Sequence, residues 1–489
     1  MALGTFIKGL QNIMRKDSGV DGDAQRLSQI AWMLFLKVYD SREEAWEFLD
    51  PAYKSIIPEP CRWRNWAVDK KDGKAMTGDD LLFFVNTVLF PTLKKIEITE
   101  KTPMKKAIVK LVMEDMSNYM KDGTLLRQVV NEIDSVDFGD YKEQHAFNEI
   151  YEALLKSLQS AGNAGEFYTP RAVTDFIIQM VSPRLGEKVA DFACGTGGFL
   201  VSSIKALEPQ VKTVGDREKL QSSIYGCEWK ALPHLLCVTN LLLHGLDEPN
   251  ILHGDSLSKN VREYGDEDKF DVIVMNPPYG GSTASSVLGN FPADMQTSET
   301  ADLFMVLILY RLKEMGRVGV VLSDGFMFGT EGAEYTIKEK LFAECNVHTI
   351  IRLPHSVFAP YTSITTNLLF FDKTGPTKET WFYRLDMPEG YKNFSKTKPM
   401  KLEHFAPAVS WWNAREEIID SEGFFQAKKY SINELMMGKF NLDLCGFPHE
   451  VQEILEPMEL LANYHAKKAE ADERITKILS EIVSLLERR

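Results

Sequence analysis

Apolar residues recur at helical spacing through the first part of the chain. Between 27 and 46, the residues Leu27, Ile30, Ala31, Leu34, Phe35, Val38 and Tyr39 fall on one helix face. The stretches 81–93 and 105–119 carry the same period, so residues 1–145 read as an N-terminal helical domain. From about 146 the pattern changes to short β-rich runs separated by helical ones. EKVADFA, IYGCE, ILHGD, FDVIVM, GRVGVVL, VHTIIRL and TNLLFF read as strands, with helices at 198–205, 231–244, 302–315 and 334–345. That alternation predicts an α/β domain with a mostly parallel sheet. The pattern itself runs to 375, and the domain is taken to span 146–430. The last segment, 431–489, returns to helix, with Ile475, Ile478, Leu479, Ile482, Leu485 and Leu486 at heptad-like spacing among Glu, Lys and Arg. Such a stripe either packs on its own domain or pairs with another chain.

Composition narrows the class. The 489 residues are 44% hydrophobic and 26% charged, which excludes a disordered chain. The longest apolar runs, at 81–90 and 302–310, are about ten residues, against the ~20 that a membrane helix needs. The N-terminus lacks the basic start, long apolar stretch and small-residue cleavage site of a secretion signal, so a cytoplasmic location is expected. Six cysteines form no CxxC pair and have no histidine cluster beside them, which argues against a zinc site or a disulfide framework. They are expected to be reduced. The net charge of -14 has the wrong sign for a broad nucleic-acid face, so any nucleic-acid role needs a partner or a local patch. Trp63 and Trp66 with Arg62 and Arg64 could touch a nucleic acid, but a packed loop with solvated arginines is the expectation.

The chemistry concentrates at the ends of the predicted strands. Asp191 and the turn Gly195, Thr196, Gly197, Gly198 come after a strand and open a helix, where glycines let a ligand approach the backbone closely. The turn is not GxGxxG and no GxxxxGK[ST] cradle occurs, which disfavours dinucleotides and nucleoside triphosphates. Glu228 ends the second strand, where a carboxylate can accept from both ribose hydroxyls. Asp255 ends the third and either accepts from an adenine amino group or caps the next helix. Together these ends describe a pocket for a nucleoside without a polyphosphate, and S-adenosylmethionine fits it.

Asn276, Pro277, Pro278 and Tyr279 stand directly after the apolar strand FDVIVM. Adjacent prolines fix φ and lack N–H groups, so the turn is rigid and its carbonyls remain for an external donor. The side-chain oxygen of Asn276 and the main-chain oxygen of Pro277 can accept both hydrogens of an exocyclic amine. Tyr279 can stack on the ring, an interaction typically of ~1–3 kcal/mol that helps hold a base turned out of its helix. Upstream, Glu166, Phe167, Tyr168, Thr169, Pro170 and Arg171 form a polar and aromatic loop before a helix at 172–181. Thr169 reads as an N-cap with Pro170 at the first helical position, and Phe167 and Tyr168 as a clamp for the methionine end of the cofactor.

With GEFYTPR, DFACGTGGF, GCE, GDSL, NPPY, ADLF, GRVGVVLSDG and IIRLP in this order, the chain resembles the modification subunit of Type I restriction-modification systems. The resemblance implies an α/β fold with a Rossmann-like S-adenosylmethionine-dependent methyltransferase sheet, flanked by an N-terminal helical domain and C-terminal helices. It implies methylation of adenine N6 in DNA, with no metal. Residues 166–171, 196–198 and Glu228 would bind the cofactor, with Asp191 and Gly195 in the same turn and Asp255 near its adenine. Asn276, Pro277, Pro278 and Tyr279 would hold the target adenine. Phe304 of ADLF either lines that pocket or belongs to the core. The family's first motif often has proline after the aspartate; Phe192 here should alter packing more than binding, and Cys194 reads as a small filler. The implied partners are DNA, a specificity subunit, a second modification subunit and restriction subunits. The C-terminal stripe becomes a candidate contact with the specificity subunit, and the N-terminal domain closes over either DNA or the second modification subunit. The competing readings are a methyltransferase of glutamine side chains or RNA, and a non-catalytic assembly subunit that holds S-adenosylmethionine.

Overall fold

A ten-stranded sheet organises the second part of the chain in the computed structural model, which describes residues 3–136 except 71, residues 169–446 except 281, 282, 360–363 and 396, and scattered positions from 461 to 476. Its strands are β1 (Val189–Asp191), β2 (Ile224–Glu228), β3 (Asn250–His253), β4 (Phe270–Met275), β5 (Leu312–Ser323), β6 (Asn346–Arg352), β7 (Thr366–Asp372), β8 (Glu379–Arg384), β9 (Ile418–Ile419) and β10 (Phe425–Ser431). They lie in the order β3-β2-β1-β4-β5-β7-β6-β8-β10-β9. Strands β1 to β5 are parallel, and β7 enters antiparallel between β5 and β6. All seven runs read as strands in the sequence are strands here.

The central strands are apolar throughout because both of their faces are buried. Val272 and Val274 of β4 face one core with helices α5 (Arg171–Val181), α6 (Gly198–Leu207) and α7 (Ala231–Leu243). Ile273 and Met275 face the other, with α8 (Thr300–Arg311) and α9 (Gly332–Glu344). Phe304 belongs to that second core. The helix expected over 302–315 stops at Arg311, whose guanidinium lies over the Tyr264, Phe192 and Phe270 rings at 4.0, 4.9 and 5.1 Å. Its Nε donates to Asp268 O at 2.7 Å, and β5 begins at the next residue. Phe192 therefore packs on the sheet face, as expected for a change that alters packing.

The N-terminal part is helical, with long elements α1 (Leu3–Met14), α2 (Gly22–Leu49), α3 (Met104–Met113) and α4 (Gly123–Asp134). The 81–93 stretch is helical with a π segment over Phe84–Leu89. It precedes Pro91, which cannot donate the regular helix bond. The 105–119 helix ends early, at Met113. Beyond it, Gln29 holds the chain by accepting from Tyr119 N at 2.9 Å and donating to Asn118 Oδ1 at 2.8 Å. Trp63 and Trp66 are buried, and Trp63 Nε1 donates to Asp134 Oδ1 at 2.9 Å. Their arginines are not solvated: Arg64 bonds Asp40 and Glu47, and Arg62 bonds Glu47. The acids come from Gly22–Leu49, so the aromatic loop is stapled to that helix.

The same long helix packs along α7, and Arg42 Nε donates to Asp247 Oδ1 at 3.0 Å just beyond α7. At the other end of the domain, Leu435, Phe440 and Leu442 after β10 enter the second core. The compact unit runs from Met1 to Gly446; a second, Phe447–Arg489, is described only at scattered positions. There Ile475 is exposed, and the other members of the heptad-like stripe lie outside the described residues. Among the described residues, no helix is long and apolar enough to cross a membrane.

Helix α5 approaches the sheet at Gly319 of β5. A Cβ at that position would lie 2.5 Å from Ile177 Cγ2 and 3.1 Å from Val181 Cγ1. Gly319→Val is expected to push α5 off the sheet and lower stability by ~1–3 kcal/mol, read as a shifted urea midpoint.

Candidate active site

The sequence-predicted residues converge at the carboxyl ends of β1, β2 and β4, with Asp255 just beyond β3. Asp191 ends β1 and is 1% exposed; its Oδ1 accepts from Ala193 N at 3.1 Å. The turn after it needs glycine, because Gly195 and Gly197 have φ of 54° and 81°. A Cβ on Gly197 would also meet Cys237 Sγ at 2.8 Å. Cys194 is buried with its Sγ 3.7 Å from that of Cys237, which bears out the filler reading. Glu228 ties the turn to β2: Oε2 accepts from Gly195 N at 2.9 Å and Oε1 from Lys230 N at 2.8 Å. A carboxylate oxygen accepts more than one hydrogen bond, so these contacts are compatible with a ligand hydroxyl at the same group.

Asp255 is half-buried, and its Oδ1 accepts from Leu257 N at 2.9 Å in a local turn. Gly254 N donates to Glu228 O at 3.0 Å, which brings the β3 end beside the β2 end. Ser256 Oγ donates to Phe192 O at 2.6 Å and joins the same loop to β1.

Asn276, Pro277, Pro278 and Tyr279 leave β4 beside this cluster. Pro277 is buried and the other three are half-buried. The Asn276 amide is held at both ends: Nδ2 donates to Thr169 Oγ1 at 3.0 Å, and the Tyr279 hydroxyl donates to Oδ1. Thr169 does not cap α5 with its side chain; Pro170 occupies the N-cap position and the helix starts at Arg171. The expected cap is therefore replaced by a bond to the β4 loop: the helix starts one residue later than that cap requires, and the Thr169 hydroxyl accepts from Asn276 instead. Arg171 lies against the glycine turn, with Nη1 3.1 Å from where a Gly198 Cβ would stand. Glu166, Phe167 and Tyr168, expected to clamp the cofactor, lie outside the described residues.

Sequence reasoning missed two residues of this neighbourhood. Asn240, buried in the middle of α7, donates Nδ2 to Thr196 O at 2.9 Å and so holds the glycine turn from below. A lone amide inside the apolar run ALPHLLCVTNLLL was the available signal. Trp229 comes directly after Glu228 and is 72% exposed at the edge of the cluster. Its carbonyl oxygen is 3.0 Å from His253 Nε2, and His253 Nδ1 faces Asp115 of the N-terminal part at 3.4 Å. Two motifs of the ordered set meet in one contact: Asp324 of SDG accepts from Arg352 Nη2 of IIRLP at 3.2 Å, and also from Asn367 Nδ2 at 2.8 Å.

Residues 142–453 match the family described as N-6 DNA Methylase, and residues 3–133 match the HsdM N-terminal domain. The Type I restriction enzyme EcoEI methylase subunit of Escherichia coli is 50% identical over 477 residues, covering 97% of this chain and 96% of its own. The chain belongs to the modification subunits of Type I restriction enzymes. A solved structure described as a modification subunit of a type I restriction enzyme from Vibrio vulnificus YJ016 superposes with a TM-score of 0.79 at 43% identity, over 88% of this chain and 92% of the other. A second, from work on complex assembly and conformational transition of the type I R-M system, gives 0.78 at 32% identity over 100% and 99%.

This modification subunit is thus an adenine-specific N6 DNA methyltransferase of an S-adenosylmethionine-dependent family. Its site carries an electrostatic cost. Burial pushes the Asp191 carboxyl up to about 8; the Ala193 N–H opposes that rise and the nearby Glu228 carboxylate adds to it. Between the unfolded value of ~3.9 and about 8, the native state holds a proton that the unfolded chain has lost, so stability falls as pH rises through this window and levels off above it. Asp191→Asn removes that dependence. The variant is expected to melt above the parent at pH 8, with the gap closing towards pH 4, in thermal scans across pH.

Proposed function

We propose that this modification subunit binds S-adenosylmethionine across the ends of β1, β2 and β3 and transfers its methyl group to N6 of an adenine flipped out of a specific DNA sequence. The supporting observation is the Asn276–Tyr279 loop standing at the β4 end, beside the glycine turn and the buried Asp191. S-adenosylmethionine supplies a methyl group on a positively charged sulfur that leaves as a neutral thioether. The residues present suit it: burial and the neighbouring Glu228 carboxylate make ionisation of Asp191 costly, and a positively charged ligand beside the two groups would relieve that cost. Gly195, Thr196, Gly197 and Gly198 allow close approach, Arg171 borders that turn, and the Glu228 carboxylate accepts from the ribose hydroxyls. Asp255 would accept from the cofactor adenine amine, and the exposed indole of Trp229 offers it a flat face. Glu166, Phe167, Tyr168 and Pro170 complete the cofactor set in this reading, with Thr169 contributing to the same segment through its backbone.

On the target side, Asn276 Oδ1 and Pro277 O accept the two hydrogens of the adenine amine, and the Tyr279 ring stacks on the base. Held there, N6 would accept the methyl group that the cofactor supplies, its neutral thioether leaving, and the extra proton would pass from N6 to solvent. Catalysis comes from positioning and from acceptors whose bonds strengthen as the amine gains positive charge. A specificity subunit supplies sequence recognition, a second modification subunit completes the enclosure of DNA, and restriction subunits cleave unmethylated sites, so methylation protects host DNA. That division of labour accommodates a net charge of -14 on a subunit that acts on DNA. The C-terminal stripe from Ile475 onward serves as the specificity-subunit contact, within a division into 1–145, 146–430 and 431–489.

The test is transfer of radiolabelled methyl from S-adenosylmethionine to unmethylated DNA, with and without the specificity subunit encoded beside this gene. Label on adenine N6 that requires the mixture is the expected result. Asn276→Ala is expected to keep cofactor affinity, read by equilibrium binding, while losing at least about a hundredfold in turnover. Near-normal turnover by that variant would remove Asn276 from the mechanism, and label on RNA or protein would reassign the substrate.

A further inference from the structure

The Asn276 amide has two unlike ends, and only one of them suits an amine that must donate two hydrogens. An amide rotates about its last side-chain bond between two near-equivalent orientations. In one the oxygen meets the target amine; in the other an NH2 group meets it, donor against donor. Pro277 and Pro278 fix the backbone of the flanking loop but leave the side-chain torsion free.

Thr169 touches this amide from a segment 107 positions away in the chain. Its Oγ1 accepts from Asn276 Nδ2 at 3.0 Å, so the nitrogen end is occupied and Oδ1 is turned to the other side. On that side the Tyr279 hydroxyl donates to Oδ1, which shows that the oxygen is within reach of an external donor. Thr169 is itself held by its neighbour, since the residue before a proline is confined to an extended conformation. Pro170 has φ -54° and ψ 139° and leads directly into α5, which is seated on β5 through Gly319.

We propose that Thr169 is a positioning residue for methyl transfer: its hydroxyl anchors the nitrogen end of the Asn276 amide and so holds the side chain in the orientation in which the oxygen faces the target amine. This rests on the reading of Asn276 as the acceptor for that amine. Thr169 then belongs to the target side of the site through its side chain, although it sits in the segment read as cofactor-binding. The Tyr279 hydroxyl takes the place of the amine at Oδ1 and gives way when the base enters and the ring stacks.

The test compares Thr169→Val and Thr169→Ser in the subunit assayed together with its specificity subunit, measuring kcat, cofactor Kd and KM for DNA separately. Valine keeps the shape and removes the hydroxyl; it should lower kcat about tenfold, the scale of one lost hydrogen bond, with cofactor Kd and melting temperature unchanged. Serine should restore kcat to near the parent value. An unchanged kcat in the valine variant, or a serine variant as slow as valine, overturns the proposal. A loss that appears as a raised cofactor Kd with normal kcat at saturation overturns it in favour of a cofactor contact. Failure of the underlying reading is separately visible, because Asn276→Ala would then retain turnover whatever the Thr169 variants do.

Discussion

One carboxylate holds the site together. Glu228 accepts from the backbone of the glycine turn with one oxygen and from the backbone beyond β2 with the other, so two loops from different strands share a single anchor. The glycine turn can then take its left-handed conformations, with Asn240 supporting it from α7. The arrangement places a second carboxyl, Asp191, in a buried position where ionisation is costly. The two carboxyls stand where parallel strands deliver their ends side by side, and their proximity is part of what keeps Asp191 protonated.

Much of this was legible in the sequence, for a physical reason. Strands buried on both faces must be apolar along their length, so FDVIVM and TNLLFF stand out without any alternation. Three strands escaped notice: β9 is only two residues long, while ETWFYR in β8 and FQAKKYS in β10 put charged and aromatic residues side by side. Helix ends were harder than helix interiors, because tertiary partners set them. The guanidinium of Arg311, at the end of α8, lies over rings distant in sequence, and Gln29 of another element holds the chain at 118–119, beyond the helix that ends at Met113.

The site was legible as a set of strand ends, while the contacts between them were not. The NPPY loop, the glycine turn, Glu228 and Asp255 could each be placed because each sits where an apolar run stops. Thr169 could not, since a threonine before a proline reads equally well as a helix cap, and only the fold brings it to Asn276. Arg62 and Arg64 were read as solvated for a similar reason: their acidic partners lie on a helix some 15 to 24 positions away. Asn240 and Trp229 carry no motif, and their roles depend on where α7 and β2 put them.

Trp229 has a practical consequence. Trp32, Trp46, Trp63, Trp66 and Trp411 are buried, while Trp229 stands at the rim of the cofactor cluster with most of its ring in water. A soluble collisional quencher such as iodide would therefore reach this indole far more readily than those five. An indole next in sequence to Glu228 is thus an optical probe that needs no label to report a change in its surroundings.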